Sequence, residues 1–162
     1  MRLVIYGNSG SGKSTLARRL AQAHDLAHLD LDSIVWEPNQ IAVQRSPEAV
    51  GAALDEFLRA HDRWVIEGCY GELVQAAGAH CTELVFLDPG REVCLAHNLA
   101  RPWEPHMYAS KAEQDHMLDN LQAWVAGYYE RDDAWSQRAH QALFDAFTGA
   151  KRRLGAGEAY PA

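Results

Sequence analysis

Long apolar runs, paired cysteines and an excess of positive charge are all missing from this 162-residue sequence. No stretch approaches the roughly 20 apolar residues that a membrane-spanning helix needs. The opening residues, Met1 to Tyr6, run into a glycine-rich stretch too early for a secretory signal peptide. We therefore expect a soluble, cytoplasmic protein with no membrane partner.

The three cysteines are odd in number and contain no C-x-x-C pair. The sequence therefore supports neither a disulfide framework nor a four-sulfur zinc site. We expect Cys69, Cys81 and Cys94 to be reduced and mostly buried.

Positive charge is scarce, because 15 Lys and Arg residues stand against 22 Asp and Glu residues and the formal net charge is −7. This balance argues against direct binding to nucleic acid, whose phosphates attract cationic surfaces. The 48% hydrophobic and 23% charged residues fit one compact domain spanning 1–162, as a monomer or a homodimer.

Short apolar runs alternate with segments of helical spacing along the chain. Strands are predicted at about 3–6, 26–29, 64–66 and 84–87, and helices at about 13–25, 46–61, 89–101, 112–129 and 134–147. The polar segment 151–154 forms either a fifth, edge strand or part of a frayed tail. The alternation predicts an α/β fold of three layers, in which about five parallel strands carry helices on both faces.

The segment from Gly7 to Ser14 matches the P-loop pattern G-x-x-x-x-G-K-[ST], after a predicted strand and before a predicted helix. In this pattern backbone N–H groups surround a polyphosphate at a helix N-terminus. We expect Lys13 to reach the β- and γ-phosphates and the Ser14 hydroxyl to bind Mg²⁺. The predicted nucleotide-binding residues are Gly7, Asn8, Ser9, Gly10, Ser11, Gly12, Lys13, Ser14 and Thr15.

Several classes of nucleotide-binding protein share this loop, so the function depends on other residues. The chain leaves little room for the lid domain of large ATPases, and it lacks the Asn-Lys-x-Asp signature of guanine-specific proteins. Of these classes, a small-molecule kinase that uses ATP and Mg²⁺ is the one that remains. Such an enzyme needs a carboxylate near the metal, groups that bind the acceptor, and cations that close over the transferred phosphoryl group.

Two predicted strands end in a carboxylate that could lie beside the phosphate loop, Glu67 and Asp88. Asp88 has a second explanation, because Asp-Pro commonly begins a helix. We therefore favour Glu67 on the metal side, with Glu67 and Gly68 also next to the acceptor, and keep Asp88 as the alternative.

Asp30 and Asp32 follow the second predicted strand and point the same way if the chain stays extended there. They suit a hydroxylated acceptor or a metal-bound water, and Asp30 is also a candidate base. Asp32 has the alternative role of a helix cap. Arg45 faces either an acceptor phosphate or solvent.

The proline-rich segment at about 102–112 lies between Arg101 on one side and Arg131 and Arg138 on the other. A loop bracketed by arginines is the usual arrangement of a lid over a transferred phosphoryl group. Arg101 has an alternative role, which is to bind free carbonyls at a helix C-terminus. We expect the three arginines, with Lys13 and Asp30, to be the catalytic groups.

The whole chain resembles the adenylate kinase-like branch of P-loop kinases, and within it the small DNA topology modulation proteins and shikimate kinase-like ATPases. The resemblance is carried by Gly7–Ser14, by His28-Leu29-Asp30 with Trp36-x-Pro38, by Trp64 to Tyr70, and by Phe86-Leu87-Asp88 leading to Arg101. It implies that Glu67 takes the place of an Asp that helps to hold Mg²⁺, and that Asp30-Leu31-Asp32 binds the acceptor. It also implies that the loop before the last strand, near Gly149 and Lys151, contacts adenine.

The acceptor motifs of two enzymes in this branch are incomplete here. The Gly-Gly-Gly of shikimate kinases and the Pro-Arg of adenylate kinases are both absent, which argues against shikimate and adenosine monophosphate as acceptors. We expect an ATP- and Mg²⁺-dependent phosphotransferase acting on a small-molecule acceptor. The alternative is a regulatory ATPase that acts through a partner, as the topology-modulation label implies.

Overall fold

A computed structural model describes residues 1–38, 40, 43–105 and 107–161. Strands and helices alternate along most of the chain. The strands are β1 (Arg2–Gly7), β2 (Ala27–Asp30), β3 (Trp64–Gly68), β4 (Glu83–Leu87) and β5 (Lys151–Leu154). The helices are α1 (Lys13–His24), α2 (Asp32–Val35), α3 (Pro47–Ala60), α4 (Gly71–Gly78), α5 (Arg91–Leu99), α6 (Lys111–Ala126) and α7 (Gln137–Ala146), with a 3₁₀ turn at Gly127–Tyr129 after α6.

The five strands form one parallel sheet in the order β2-β3-β1-β4-β5. The three central strands are buried almost throughout, as expected for parallel strands that are covered on both faces. Residues 151–154 form the fifth strand, so the edge strand is observed and the frayed tail is not. Only Leu154 of that strand is buried, because β5 lies at the edge of the sheet.

Alternate residues of β1 enter two separate cores, because successive side chains of a strand point to opposite faces. Val4 and Tyr6 lie in the larger core, together with residues of α3, α4 and α7. Leu3 and Ile5 lie in the smaller core, together with α1. Helices therefore cover both faces of the sheet. This confirms the predicted α/β fold of three layers.

Serine side chains begin three of the helices. Ser46, Ser110 and Ser136 each accept a hydrogen bond from the backbone N–H three residues later, at 3.1–3.2 Å, before α3, α6 and α7 respectively. The prediction that Asp88 caps the following helix is wrong, because Gly90 precedes α5 and its first residue is Arg91.

Residues 101–105 and 107–110 connect α5 to α6 without regular secondary structure. This is the segment predicted as a lid, and its motion stays a prediction. His106 of that segment, and Asn39 of the loop after α2, lie outside the described residues. In the part of the chain that the structure describes, no helix is long and apolar enough to cross a membrane.

The three cysteines are free thiols. Cys94 is buried, whereas Cys69 and Cys81 are half-buried, so the prediction of burial holds fully only for Cys94.

Candidate active site

The segment from Gly7 to Ser14 forms a tight loop between β1 and α1, at the carboxyl end of the central strand. All three of its glycines have positive φ angles, and two of them lie in the turn before α1. Gly10 has φ = 79°, and a Cβ there would lie 2.3 Å from the carbonyl oxygen of Cys94. Gly12 has φ = 95° in the left-handed region, although a Cβ there would meet nothing within 4 Å. The space in front of Gly12, at the start of α1, is therefore open to a ligand.

Side chains on both sides of the lid segment anchor this loop. Asn8, which is buried, donates a hydrogen bond from Nδ2 to the Val125 carbonyl at the end of α6, at 3.3 Å. Ser9 Oγ donates to Asn98 Oδ1 at 3.2 Å, and His97 Nδ1 lies 2.7 Å from the Gly10 carbonyl, so both bonds come from α5. The loop is thus bonded to both of the helices that flank the lid segment.

Lys13 folds back over the loop, where its Nζ donates a hydrogen bond to the Asn8 carbonyl at 3.0 Å. Ser14 and Thr15 follow in the first turn of α1, where Ser14 is half-buried and Thr15 is exposed. Free N–H groups at a helix N-terminus, together with a lysine, form an anion-binding arrangement.

Glu67 lies at the end of β3, with its side chain 2% exposed. Its Oε1 is 3.7 Å from His28 Nε2 and has no hydrogen-bond partner among the described residues. Burial alone would raise the pKa of Glu67, but His28, the charge of Lys13 and the Ser14 hydroxyl together lower it. The carboxylate is therefore ionised and buried, with one oxygen free to bind a cation or a water on that cation.

Asp30 is paired in register with Glu67, because β2 and β3 are neighbouring parallel strands. Its Oδ1 accepts a hydrogen bond from the Asp32 backbone N–H at 2.9 Å. Burial, followed by the charges of Glu67 and Asp32, raises the pKa of Asp30 to about 7. Two carboxylates thus lie together at the carboxyl edge of the sheet, where α/β proteins bind ligands.

Asp32 belongs to a small hydrogen-bonded group with two aromatic residues. Tyr70 OH donates to Asp32 Oδ1, and Trp36 Nε1 is 2.8 Å from Tyr70 OH and 3.3 Å from Asp32 Oδ1. Asp32 is the first residue of α2, but its side chain accepts these hydrogen bonds and makes no cap. Sequence reasoning missed Trp36 and Tyr70 as members of the site, although both stand in the segments that carry the family resemblance.

The structure separates the predicted lid arginines. Arg131 stacks on Trp124, with its guanidinium 4.4 Å from the ring centre, and Nη1 donates to the Trp124 carbonyl. The next carbonyl, that of Val125, accepts the hydrogen bond from Asn8 of the phosphate loop. The Arg131 guanidinium therefore contacts α6 at Trp124, one residue before the carbonyl that anchors the loop. Its Nε is 2.7 Å from Asp133 Oδ2, and its Nη2 is buried without a partner in the described chain.

The other candidate cations are farther from this arrangement. Arg101 Nη1 lies 3.6 Å from Glu104 Oε2 in the lid segment. Arg138 is 82% exposed and pairs with Asp132 at the surface. Arg45 is half-buried, and its Nη1 donates to the Ile34 carbonyl at 3.1 Å. None of the three contacts a residue of the phosphate loop among the recorded hydrogen bonds and ion pairs of the described residues.

Asp88, the alternative to Glu67, is fully occupied by protein groups. Arg153 Nη2 donates to its Oδ2 at 2.6 Å, Tyr129 OH donates to its Oδ1 at 2.5 Å, and Gln137 Nε2 reaches Oδ2 at 3.3 Å. A carboxylate with both oxygens bonded has little capacity for a metal shell. The geometry therefore favours Glu67.

The prediction that Gly149 and Lys151 contact adenine is wrong. Lys151 is in register with Leu84, at the amino ends of β5 and β4, whereas the phosphate loop follows the carboxyl end of β1. The Lys151 ammonium binds the carbonyls of Phe144, Asp145 and Phe147, and so ends α7. Both residues lie at the edge of the sheet opposite the loop.

Comparison with known proteins supports the fold. No protein-family model matches the sequence, and no curated protein matches it. Among solved structures, the chain is similar to an unliganded sugar kinase from Janibacter sp. HTCC2649, with a TM-score of 0.53. The two are 19% identical, over 94% of this chain and 83% of the other. At that identity the likeness supports the α/β fold and nothing finer.

Proposed function

We propose that this chain is a P-loop small-molecule kinase, which transfers the γ-phosphoryl group of ATP to a small acceptor and requires Mg²⁺. The observation that carries the proposal is Glu67, a carboxylate 2% exposed whose Oε1 has no hydrogen-bond partner among the described residues, although His28 Nε2 lies 3.7 Å from it. A buried, unpaired carboxylate oxygen is costly unless it has a ligand. Its neighbours Lys13 and Ser14 belong to the phosphate loop, so the ligand is a cation that accompanies a polyphosphate.

The residues present fit Mg²⁺, which prefers few protein oxygens and several oxygens from water and phosphate. Ser14 and Glu67 would hold it, directly or through water. The described residues contain no group of three or more His, Cys, Asp or Glu that could hold a metal by themselves, so the nucleotide and water would have to supply the remaining ligands. Bound Mg²⁺ neutralises phosphate charge and favours departure of ADP.

The loop amides and Lys13 bind the β- and γ-phosphates, which fixes the γ-phosphorus in front of Asp30. The acceptor hydroxyl oxygen then bonds to that phosphorus while the bond to the β–γ bridging oxygen breaks and ADP leaves. The hydroxyl proton passes to the Asp30 carboxylate and from there to water. Arg131 would act on the transferred charge only after release from Asp133, and Arg101 and Arg138 would join it only if the lid segment closes.

The proposal is tested by Mg²⁺-dependent release of ADP from ATP, first without an acceptor and then with nucleosides, nucleoside monophosphates, sugars, sugar acids and shikimate. A kinase gives a large stimulation by one acceptor class. Lys13→Ala should abolish that turnover, whereas Arg18→Ala, which removes an exposed cation from the same helix, is the matched control. Full activity in Lys13→Ala would refute the mechanism.

One observation favours the alternative, a regulatory ATPase that acts through a protein partner. Arg101, Arg131 and Arg138 all lie beside acidic side chains, at 3.6, 2.7 and 3.2 Å, so none is a free cation over the phosphate loop. Slow hydrolysis that no acceptor changes would support this alternative. A salt-dependent duplex-binding assay would then test direct contact with DNA, which the net charge of −7 argues against.

A further inference from the structure

The last turns of α5 lie against the phosphate loop. Cys94, His97 and Asn98 are three and four residues apart, so they share one face of that helix. A Cβ at Gly10 would lie 2.3 Å from the Cys94 carbonyl oxygen and 2.7 Å from Asn98 Nδ2. Asn98 is 3% exposed, and its Oδ1 accepts the hydrogen bond from Ser9. This face of α5 therefore packs directly on the loop at Gly10.

His97 makes the polar contact with Gly10 from that face. Its Nδ1 lies 2.7 Å from the Gly10 carbonyl oxygen. A carbonyl oxygen can only accept a hydrogen bond, so Nδ1 carries the proton and donates it. His97 is exposed whereas Asn98 beside it is buried, so His97 closes the outer edge of the contact. The loop backbone is thus bonded to a side chain that the P-loop pattern does not contain.

This hydrogen bond sets the direction of the peptide unit between Gly10 and Ser11. The unit is trans and planar, so its C=O and N–H point in opposite directions. While His97 holds the carbonyl, the Ser11 N–H points into the loop and donates to the Asn8 carbonyl at 3.2 Å. Lys13 Nζ donates to the same carbonyl at 3.0 Å. Two donors of the loop thus converge on one oxygen, as they would on a phosphate oxygen.

We infer that His97 is a positioning residue for the nucleotide, which holds the Gly10–Ser11 peptide so that the Ser11 N–H faces the phosphates. The inference rests on the proposed function, since it requires a polyphosphate in the loop. Without the imidazole the Gly10 carbonyl loses its partner, and a glycine at φ = 79° has many other conformations open to it. A loop that must be ordered during binding has a lower affinity than one that is already ordered.

Replacement of His97 by two different amides tests the position of the donor. Asparagine carries its amide nitrogen on Cγ, where histidine has Nδ1, whereas glutamine carries it one bond farther out. His97→Ala and His97→Gln should therefore raise the Kd of a nonhydrolysable ATP analogue with Mg²⁺ about five- to tenfold, and His97→Asn by less than about twofold. Titration calorimetry on the full chain measures the Kd.

Helix propensity predicts the opposite order for stability. Glutamine is a better helix former than asparagine, so His97→Gln should be at least as stable to urea as His97→Asn. Weaker binding by the more stable variant is therefore a result that a merely structural role would not give. His116 is exposed on α6, so His116→Asn and His116→Gln are the matched controls and should leave the Kd unchanged.

Binding and turnover separate this inference from the proposed function. If the parent binds the analogue and the His97 variants follow the predicted order, the inference holds even where no acceptor is phosphorylated. An unchanged Kd in His97→Ala, or a Kd for His97→Gln no higher than that for His97→Asn, would overturn the inference and leave the kinase intact. A parent chain that binds no analogue would overturn both.

Discussion

On the acceptor side of the phosphate loop, Asp30 and Glu67 lie together with no arginine bonded to either. On the lid side, Arg101, Arg131 and Arg138 lie next to Glu104, Asp133 and Asp132 respectively. Neither acid is thus paired with an arginine in the described chain, whereas each of the three arginines lies next to an acid. Leaving the acids unpaired costs stability in the empty protein, and a bound metal and acceptor would recover that cost.

The acids are in position before a ligand binds, whereas the arginines are not. Glu67 and Asp30 are fixed by the two strands that carry them, so they need no movement to meet a metal or a hydroxyl. The arginines would have to give up an acid, or share it, in order to face a phosphoryl group.

The largest effect is expected for Glu67→Gln, which removes the charge and keeps the shape. Turnover should fall by roughly 10³-fold at low Mg²⁺, because the metal loses its protein carboxylate. Stability should stay the same or rise, because an unpaired buried charge is replaced by a neutral amide. Steady-state kinetics at several Mg²⁺ concentrations and a urea titration measure the two effects.

Glu48→Gln serves as the control for this change, since Glu48 is exposed in the first turn of α3. A Glu67→Gln protein that is both active and less stable would mean that Glu67 is a structural residue, and the site would need another metal ligand.

A smaller effect, on stability, is expected for His140→Ala. His140 is fully buried, with Nε2 2.9 Å from the Cys69 carbonyl and Nδ1 2.8 Å from Tyr128 OH. It therefore links α7 to the chain that follows Glu67. Removing it leaves two buried polar groups unpaired and a cavity, which should lower the free energy of unfolding by about 3 kcal/mol. Denaturant titration at pH 7 measures the change.

The same residue gives a pH dependence of known sign. Burial lowers the pKa of His140 from 6.5 to about 4, which outweighs the hydrogen bond to Cys69, and Lys13 lowers the pKa further while Asp88 and Asp133 raise it. Between pH 6.5 and 4 the unfolded chain binds a proton that the folded chain refuses. Stability should therefore fall as the pH falls through this window, by roughly 3 kcal/mol at its lower end.

The variant His140→Gln should lose this slope, and the exposed His116→Gln should keep it. Comparison of each variant with the parent at the same pH removes the contributions of Asp30 and the other acids. Parallel stability curves for His140→Gln and the parent would show that His140 takes up its proton while folded.

On the lid side, Arg131→Ala should lower kcat by about tenfold to a hundredfold while leaving the KM for ATP within a few-fold, because the guanidinium acts mainly on charge that develops during transfer. Arg131→Lys should restore little, since a lysine lacks the planar group that stacks on Trp124. Pre-steady-state measurement of phosphoryl transfer is the check. An unchanged kcat in Arg131→Ala would mean that the closing cation is Arg101 or Arg138.

The acids and the phosphate loop could be predicted from the sequence, whereas the positions of the lid arginines could not. The phosphate loop is continuous and its backbone conformation needs glycine at fixed positions, so its pattern predicts it directly. Asp30 and Glu67 were also within reach, because the carboxyl ends of parallel strands meet at one edge. The partners of the arginines could not be predicted from the sequence, because a long side chain can reach several acids and the fold decides which of them is near.

Two expectations failed for reasons of direction and spacing. Gly149 and Lys151 precede a strand that runs parallel to β1, so they lie at the amino edge of the sheet and cannot approach a nucleotide at the carboxyl edge. Asp88 was expected to begin a helix, but α5 begins three residues later and Asp88 is instead bonded by Arg153 and Tyr129. Both errors concern positions that are set by the assembled sheet and that short sequence patterns do not encode.

The smallest effect is expected for the ion pair between Arg138 and Asp132. The two side chains are 82% and 81% exposed, with Nη1 and Oδ1 3.2 Å apart. Solvent screens such a pair, so a double-mutant cycle with Arg138→Ala and Asp132→Ala should give a coupling energy below about 0.5 kcal/mol in the empty protein.

The same cycle, measured with a nonhydrolysable ATP analogue and Mg²⁺ bound, tests whether Arg138 moves toward the nucleotide. If Arg138 moves to the nucleotide when the lid segment closes, Arg138→Ala alone will weaken binding of the analogue. If the coupling energy and the binding constant both stay unchanged, the pair is a surface contact. Arg131 is then left as the lid-side cation next to the phosphate loop.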